Sequence, residues 1–125
     1  GYCVSTVSVP AYFATAETFC QNISGRLMIV DNLEKFQFFD SYTAAHNLTH
    51  TWIGLDDRAA EGTYMWSDQT QANTSEILTL FLAGEPNDNR GNEDCCEFLR
   101  KSASAVGLND LPCNRSISFI CEYVV

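Results

Sequence analysis

Twelve consecutive residues carry most of the chemistry this sequence offers. The run Glu85-Pro-Asn-Asp-Asn-Arg-Gly-Asn-Glu-Asp-Cys-Cys96 holds four carboxylates, three asparagines, a proline and two adjacent cysteines. General acid-base catalysis by paired carboxylates needs one acid kept protonated by apolar surroundings. These acids crowd against amides and turn formers, so an enzyme is not expected. Carboxylates mixed with asparagine amides are hard oxygen donors, and a flexible loop of them suits calcium, which takes six to eight oxygens at about 2.3–2.6 Å. Zinc would require histidine or free thiolate, and the segment has no histidine. A solvated acidic loop is the competing reading of any charge run. The proline between Glu85 and Asn87 favours the metal, because an X-Pro bond reaches the cis form at modest cost and would aim both neighbours at one point.

The elements that must position this loop follow from periodicity. Val4 to Val9, bounded by Pro10, reads as an opening strand. Tyr12, Ala16, Phe19, Cys20 and Ile23 recur at helical spacing up to Gly25. Leu27 to Val30 is a brief apolar strand, and Asp31-x-x-Glu34 opens a second helix through Phe36, Phe38, Phe39 and Tyr42 to about Asn47. Beyond residue 50 the helical period disappears. Trp52-Ile-Gly-Leu55, Tyr64-Met-Trp66, Phe98-Leu99 and Ser118 to Tyr123 read as strands. The stretch from Ser67 to Arg90 is longer than an ordinary connection, and loops of that length are usually functional or disordered. Helices first and strands with a long loop second predict an α+β fold in one domain over residues 1–125.

Sixteen acidic residues against seven basic ones give a formal charge of −9, which repels nucleic acid and anionic membranes. No apolar run has transmembrane length and no secretory leader is seen, so a soluble, mature or trimmed chain without membrane insertion is expected. Six cysteines with no C-x-x-C pair point to disulfides in an oxidising compartment. Four glycosylation sequons, at Asn22, Asn47, Asn73 and Asn114, agree with a secreted or extracellular protein.

With these features together, the chain resembles the C-type lectin domain over nearly its whole length. Trp52-Ile-Gly-Leu55 stands as that family's WIGL motif, Glu85-Pro-Asn87 as its EPN sugar motif, Asn109-Asp110 as the ND of its WND, and Phe119-Ile-Cys-Glu122 as its closing strand. Leu108 replaces the usual tryptophan of WND, and Phe81 stands where a tryptophan commonly precedes the EPN loop. The resemblance implies a C-type lectin fold of two helices, small antiparallel sheets and a long calcium-binding loop region. It also implies one or two calcium ions: a principal site of Glu85, Asn87, Glu93, Asn109 and Asp110, which also binds the sugar, and an auxiliary site of Asp57, Glu61, Asp88, Glu93 and Asp94. Two such ions would bring the charge from −9 to −5.

Glutamate before asparagine in EPN resembles members that prefer mannose, fucose, N-acetylglucosamine and glucose. Asn89 and Arg90 are neighbours able to refine that preference. A shallow single site would be weak, so a homo-oligomer is expected. The competing function is a lectin-like domain that binds a protein, ice or mineral surface with calcium only structural.

Six cysteines allow 15 pairings. The resemblance implies Cys20 with Cys121 and Cys95 with Cys113. Residues 95 and 96 on one strand face opposite sides, so Cys96 either pairs with Cys3 or, alone or with Cys3, links subunits. His46 and His50 have the spacing of a zinc protease motif, but Asn47 stands where its glutamate is required. Surface histidines are expected.

Overall fold

The computed structural model describes residues 2–85 and 93–124. In chain order the elements are β1 (Tyr2–Ala11), α1 (Phe13–Asn22), β2 (Arg26–Leu27), α2 (Leu33–Ala45), β3 (His50–Asp56), β4 (Met65–Trp66), α3 (Thr74–Leu78), β5 (Cys95–Ser102), β6 (Ala105–Leu111) and β7 (Ile117–Val124). The main sheet path is β1-β7-β3-β5-β6, with β2 added to β7 and β4 to β3. Its ladders are antiparallel except β3 with β7, where Thr51 pairs with Ser118 and Trp52 with Phe119 in parallel. Two principal helices against this sheet give the expected α+β C-type lectin fold.

Both faces of the sheet are covered, and consecutive strand residues divide between them. Trp52, Cys95 and Phe119 pack with Phe13, Ala16 and Cys20 of α1. Their successors Ile53, Cys96 and Ile120 pack with Phe39 of α2 and with Phe98 and Leu108. Two-sided burial is why Trp52 to Leu55 reads as continuous apolar sequence rather than as alternation. Gly54 has a separate reason, since a Cβ there would lie 2.5 Å from both the Leu27 carbonyl oxygen and Ser67 Oγ.

Local chemistry explains the element boundaries. The β1 register shifts between Val7 and Ala11, around Pro10, which has no N–H to give to a ladder. Helix α2 starts one residue later than Asp31 suggests, because Asn32 is the cap and accepts the Lys35 N–H at 2.9 Å. Glu122, fully buried on β7, ties three elements together: it accepts from Arg26 Nε at 3.0 Å, Lys35 Nζ at 2.8 Å and the Ile29 N–H at 3.1 Å.

The bridges Cys20–Cys121 and Cys95–Cys113 are both formed. Cys3 and Cys96 are free thiols, Cys3 exposed and Cys96 fully buried in the α2-side core that also holds Ile53 and Leu108. This corrects the expectation for Cys96: its side chain faces the interior, out of reach of Cys3 or of another chain.

Candidate metal centre

Two strand ends and one loop bring the acidic residues together. At the end of β3 the Asp57 N–H donates to the Asp94 carbonyl at 2.9 Å, which fixes the start of one acidic segment against the other. One oxygen each from Asp57, Glu61 and Asp94 then lie within 4.8 Å of one another. Asp57 is only 2 % exposed. Its Oδ2 accepts the Gly62 N–H at 2.9 Å, whereas Oδ1 is buried with no hydrogen-bond donor among the described residues. Three converging carboxylates and an orphaned buried oxygen fit a hard divalent cation. Asp88, expected in this auxiliary set, lies outside the described residues.

The second group forms where residues 80–85 run along the outer side of β6. Leu108 and Leu82 exchange backbone bonds with that segment at 2.9 Å, Leu108 N–H to Leu80 oxygen and Leu82 N–H to Leu108 oxygen, and the Glu85 N–H turns back to Leu82 oxygen. Gly107 permits this approach, since a Cβ there would stand 2.8 Å from the Leu80 oxygen. The result places the Glu85 carboxyl in hydrogen-bond contact with Asp110, which is 1 % exposed. Burial, and then the hydrogen bond and charge of Asp110 and the charge of Glu93, push the Glu85 carboxyl above its ordinary value, with Lys101 offsetting part of the rise. Two carboxyls brought this close are also a pair that a cation can hold in competition with protons.

Of the principal set, the structure therefore brings Glu85 and Asp110 into contact, with Glu93 near enough to act on Glu85. Asn87 lies outside the described residues, as do Asn89 and Arg90. Asn109 leaves β6 on the face opposite Asp110: it is paired in register with Glu97, and its Nδ2 donates to Glu97 Oε2 at 2.8 Å.

The Cys95–Cys113 bridge joins the start of β5 to the residue after Pro112 and so braces both acidic strands. Tyr64 and Cys96 are buried behind the two groups. Burial, with the surrounding carboxylates of Asp57 and Asp110 adding to it, pushes both the phenol and the thiol up and keeps them neutral.

Two residues that hold this arrangement stand outside the motifs of the sequence. Arg58 bonds Asp56 at 2.8 Å and Glu17 at 3.1 Å, and its guanidinium lies 4.7 Å from the centre of the Phe13 ring, so it ties the Asp57 loop to α1. Glu97 is fully buried and is held from the other side by His50, whose Nδ1 lies 2.7 Å from Oε1. Burial pushes the Glu97 carboxyl up while the bonds from Asn109 and His50 pull the other way. Reading β5 back to Cys95 exposes that signal, because Glu97 is then a charge two residues along on a covered face. Both histidines are exposed as expected, His46 stacking on Tyr42 at 4.1 Å.

Comparison with known proteins agrees with this architecture. Residues 9–123 match the family described as the lectin C-type domain. Mouse C-type lectin domain family 4 member K is 36% identical over 113 residues, which are 90% of this chain and 33% of that protein. The chain thus spans about a third of the length of that curated relative. Among solved structures, the C-type lectin domain of murine dendritic cell inhibitory receptor 2 in complex with N-glycan has a TM-score of 0.84 and 25% identity, over 99% of this chain and 91% of that one. Herring type II antifreeze protein shares the fold at a TM-score of 0.81 and 23% identity, over 100% of this chain and 92% of that one. On the extent of the family match and the identity to a curated member, the chain belongs to the C-type lectin domain family.

Proposed function

We propose that this domain, read as one module over residues 1–125, binds glycans in a calcium-dependent manner and prefers mannose-type sugars. The observation that carries the reading is the contact of Glu85 with buried Asp110 beside a second, tightly convergent carboxylate group. The relatives support glycan binding by their descriptions, one of them in complex with an N-glycan.

Glu85, Asn87, Glu93, Asn109 and Asp110 would hold the principal calcium, and Asp57, Glu61, Asp88, Glu93 and Asp94 the auxiliary one. Bound calcium supplies open coordination positions for two vicinal sugar hydroxyl oxygens. The chain's part is to orient those hydroxyls: carboxylate oxygens accept their protons, and an asparagine NH₂ donates to a lone pair. Glu85 before Asn87 sets that donor and acceptor order for equatorial hydroxyls of mannose, fucose, N-acetylglucosamine or glucose. The auxiliary group holds the Asp57 and Asp94 segments together.

Several copies would be needed for useful avidity. With Cys96 buried, a covalent link between copies falls to exposed Cys3. The four sequon asparagines are all exposed, in keeping with a secreted glycoprotein.

A glycan array read in calcium and again in chelator tests the reading. Mannose-type signals that vanish in chelator are expected. Binding that survives chelation would move the domain to the surface-binding alternative, in which calcium is structural only, and a galactose-only profile would remove the mannose assignment alone.

A further inference from the structure

We propose that Glu97 is a positioning residue for the ligand site, holding Asn109 so that its amide oxygen, not its nitrogen, is the atom left for a cation. The inference rests on the calcium reading above. Glu97 lies on β5, in the middle of three neighbouring strands. Asn109 is its direct partner on β6, and His50, two residues before its other direct partner Trp52 on β3, is its diagonal neighbour on the same face. The Glu97 side chain is fully buried, and its oxygens are each engaged, Oε1 by His50 at 2.7 Å and Oε2 by Asn109 at 2.8 Å.

A carboxylate only accepts, so an amide placed against it must present NH₂. The reverse orientation would set two acceptor oxygens 2.8 Å apart. Asparagine has no choice of rotamer left once Glu97 is fixed, and Glu97 is fixed because His50 holds its other oxygen. The Asn109 carbonyl oxygen then faces away from Glu97. Residues 80–85 bond along the outer side of β6 at Leu108, and the next two residues, Asn109 and Asp110, leave the strand on opposite faces beside Glu85, so that one ion there could be approached from either face. An asparagine without that acceptor must be turned and held by the cation alone, and the preset orientation removes that cost.

The test compares wild type, E97L and E97Q by calcium titration calorimetry and by the ¹⁵N spectrum of the Asn109 side chain in chelator. Leucine abolishes the acceptor, whereas glutamine keeps an oxygen for Asn109 and can donate to neutral His50. In wild type and E97Q the Asn109 NH₂ should show one proton shifted downfield by its hydrogen bond, and in E97L that shift should be gone. E97L should weaken one of the two calcium sites about tenfold while the other is unchanged, with E97Q within about twofold of wild type. Equal affinities in wild type and E97L, equal losses at both sites, or an E97Q as weak as E97L would each overturn the proposal. If E97L does not fold, H50L serves, since His50 is exposed: a loss of about threefold at one site is expected, and no change overturns the idea. Wild type that binds no calcium would end both this role and the lectin reading, whereas calcium binding untouched by E97L and H50L would remove the positioning role alone.

Discussion

The two acidic groups of this domain solve the same problem differently. Asp57, Glu61 and Asp94 are brought together by backbone: an Asp57 N–H to Asp94 bond, a Gly62 N–H on Asp57, and Arg58 pinning the loop to α1. Glu85 and Asp110 are brought together by a segment laid along an edge strand, and burial and the charge of Asp110 raise the Glu85 carboxyl. The first group is a fixed cage and the second a crowded pair with one raised carboxyl. The cage should depend on scaffold contacts, whereas the pair should be the more sensitive to pH.

Substitutions at the carboxylates test that contrast most severely. Asp110→Ala removes the buried partner of Glu85 and should lower calcium-dependent glycan binding by roughly 100-fold or more, read on a mannan surface at fixed calcium. Asp57→Asn leaves the shape of the cage but takes one charge from it. It should abolish one of two calcium-binding events in calorimetry and lower glycan affinity about tenfold. Equal damage from the two variants would break the distinction between cage and pair.

Acidification separates them by sign. Glu85 and Glu97 both have folded carboxyls raised above the ordinary glutamate value of 4.5. At these two groups the folded state in chelator binds more protons than the unfolded chain, so their contribution to stability should rise as pH falls from neutral toward 4.5, against that of the lowered Asp68 carboxyl. In calcium the same protons displace the metal, so thermal stability and glycan binding should fall over that range. In chelator, a Glu85→Gln variant whose melting temperature changes with pH between 7 and 5 as the wild type's does would refute the raised Glu85 carboxyl. Arg58→Gln is the mildest probe: with exposed ion pairs contributing little, about a threefold loss of calcium at the cage is expected, and none at the pair.

How much of this was legible in the sequence depends on how local each signal is. The helices, the buried strand at Trp52 and the closing strand announce themselves through apolar spacing within a few residues. Helix α3 spans five residues, too few for a helical period, and rests on its Asn73 cap. Strand β6 hid because Gly107, Asn109 and Asp110 are poor strand formers, each present for the site rather than for the sheet. The carboxylates were legible from their clustering and from the family motifs. The roles of Glu97 and Arg58 were not, because each acts on residues 12 to 47 positions away through side-chain geometry that no local pattern encodes. Cys96 was misplaced for a related reason: strand alternation says that it faces away from Cys95, but not that its own face is roofed by α2.

The pairing of β1 with β7 has a further consequence. Tyr2 stands opposite Val124, so the chain enters and leaves at neighbouring points, one interstrand spacing of about 4.8 Å apart. A unit with adjacent ends behaves as a cassette. It can be spliced into a host loop or strung between other modules without separating its own strands, and pulling on both ends would unzip β1 from β7 bond by bond rather than shear the sheet. The Cys20–Cys121 staple lies on that same closing strand, and would stop the unzipping before it reached the residues that hold the ion.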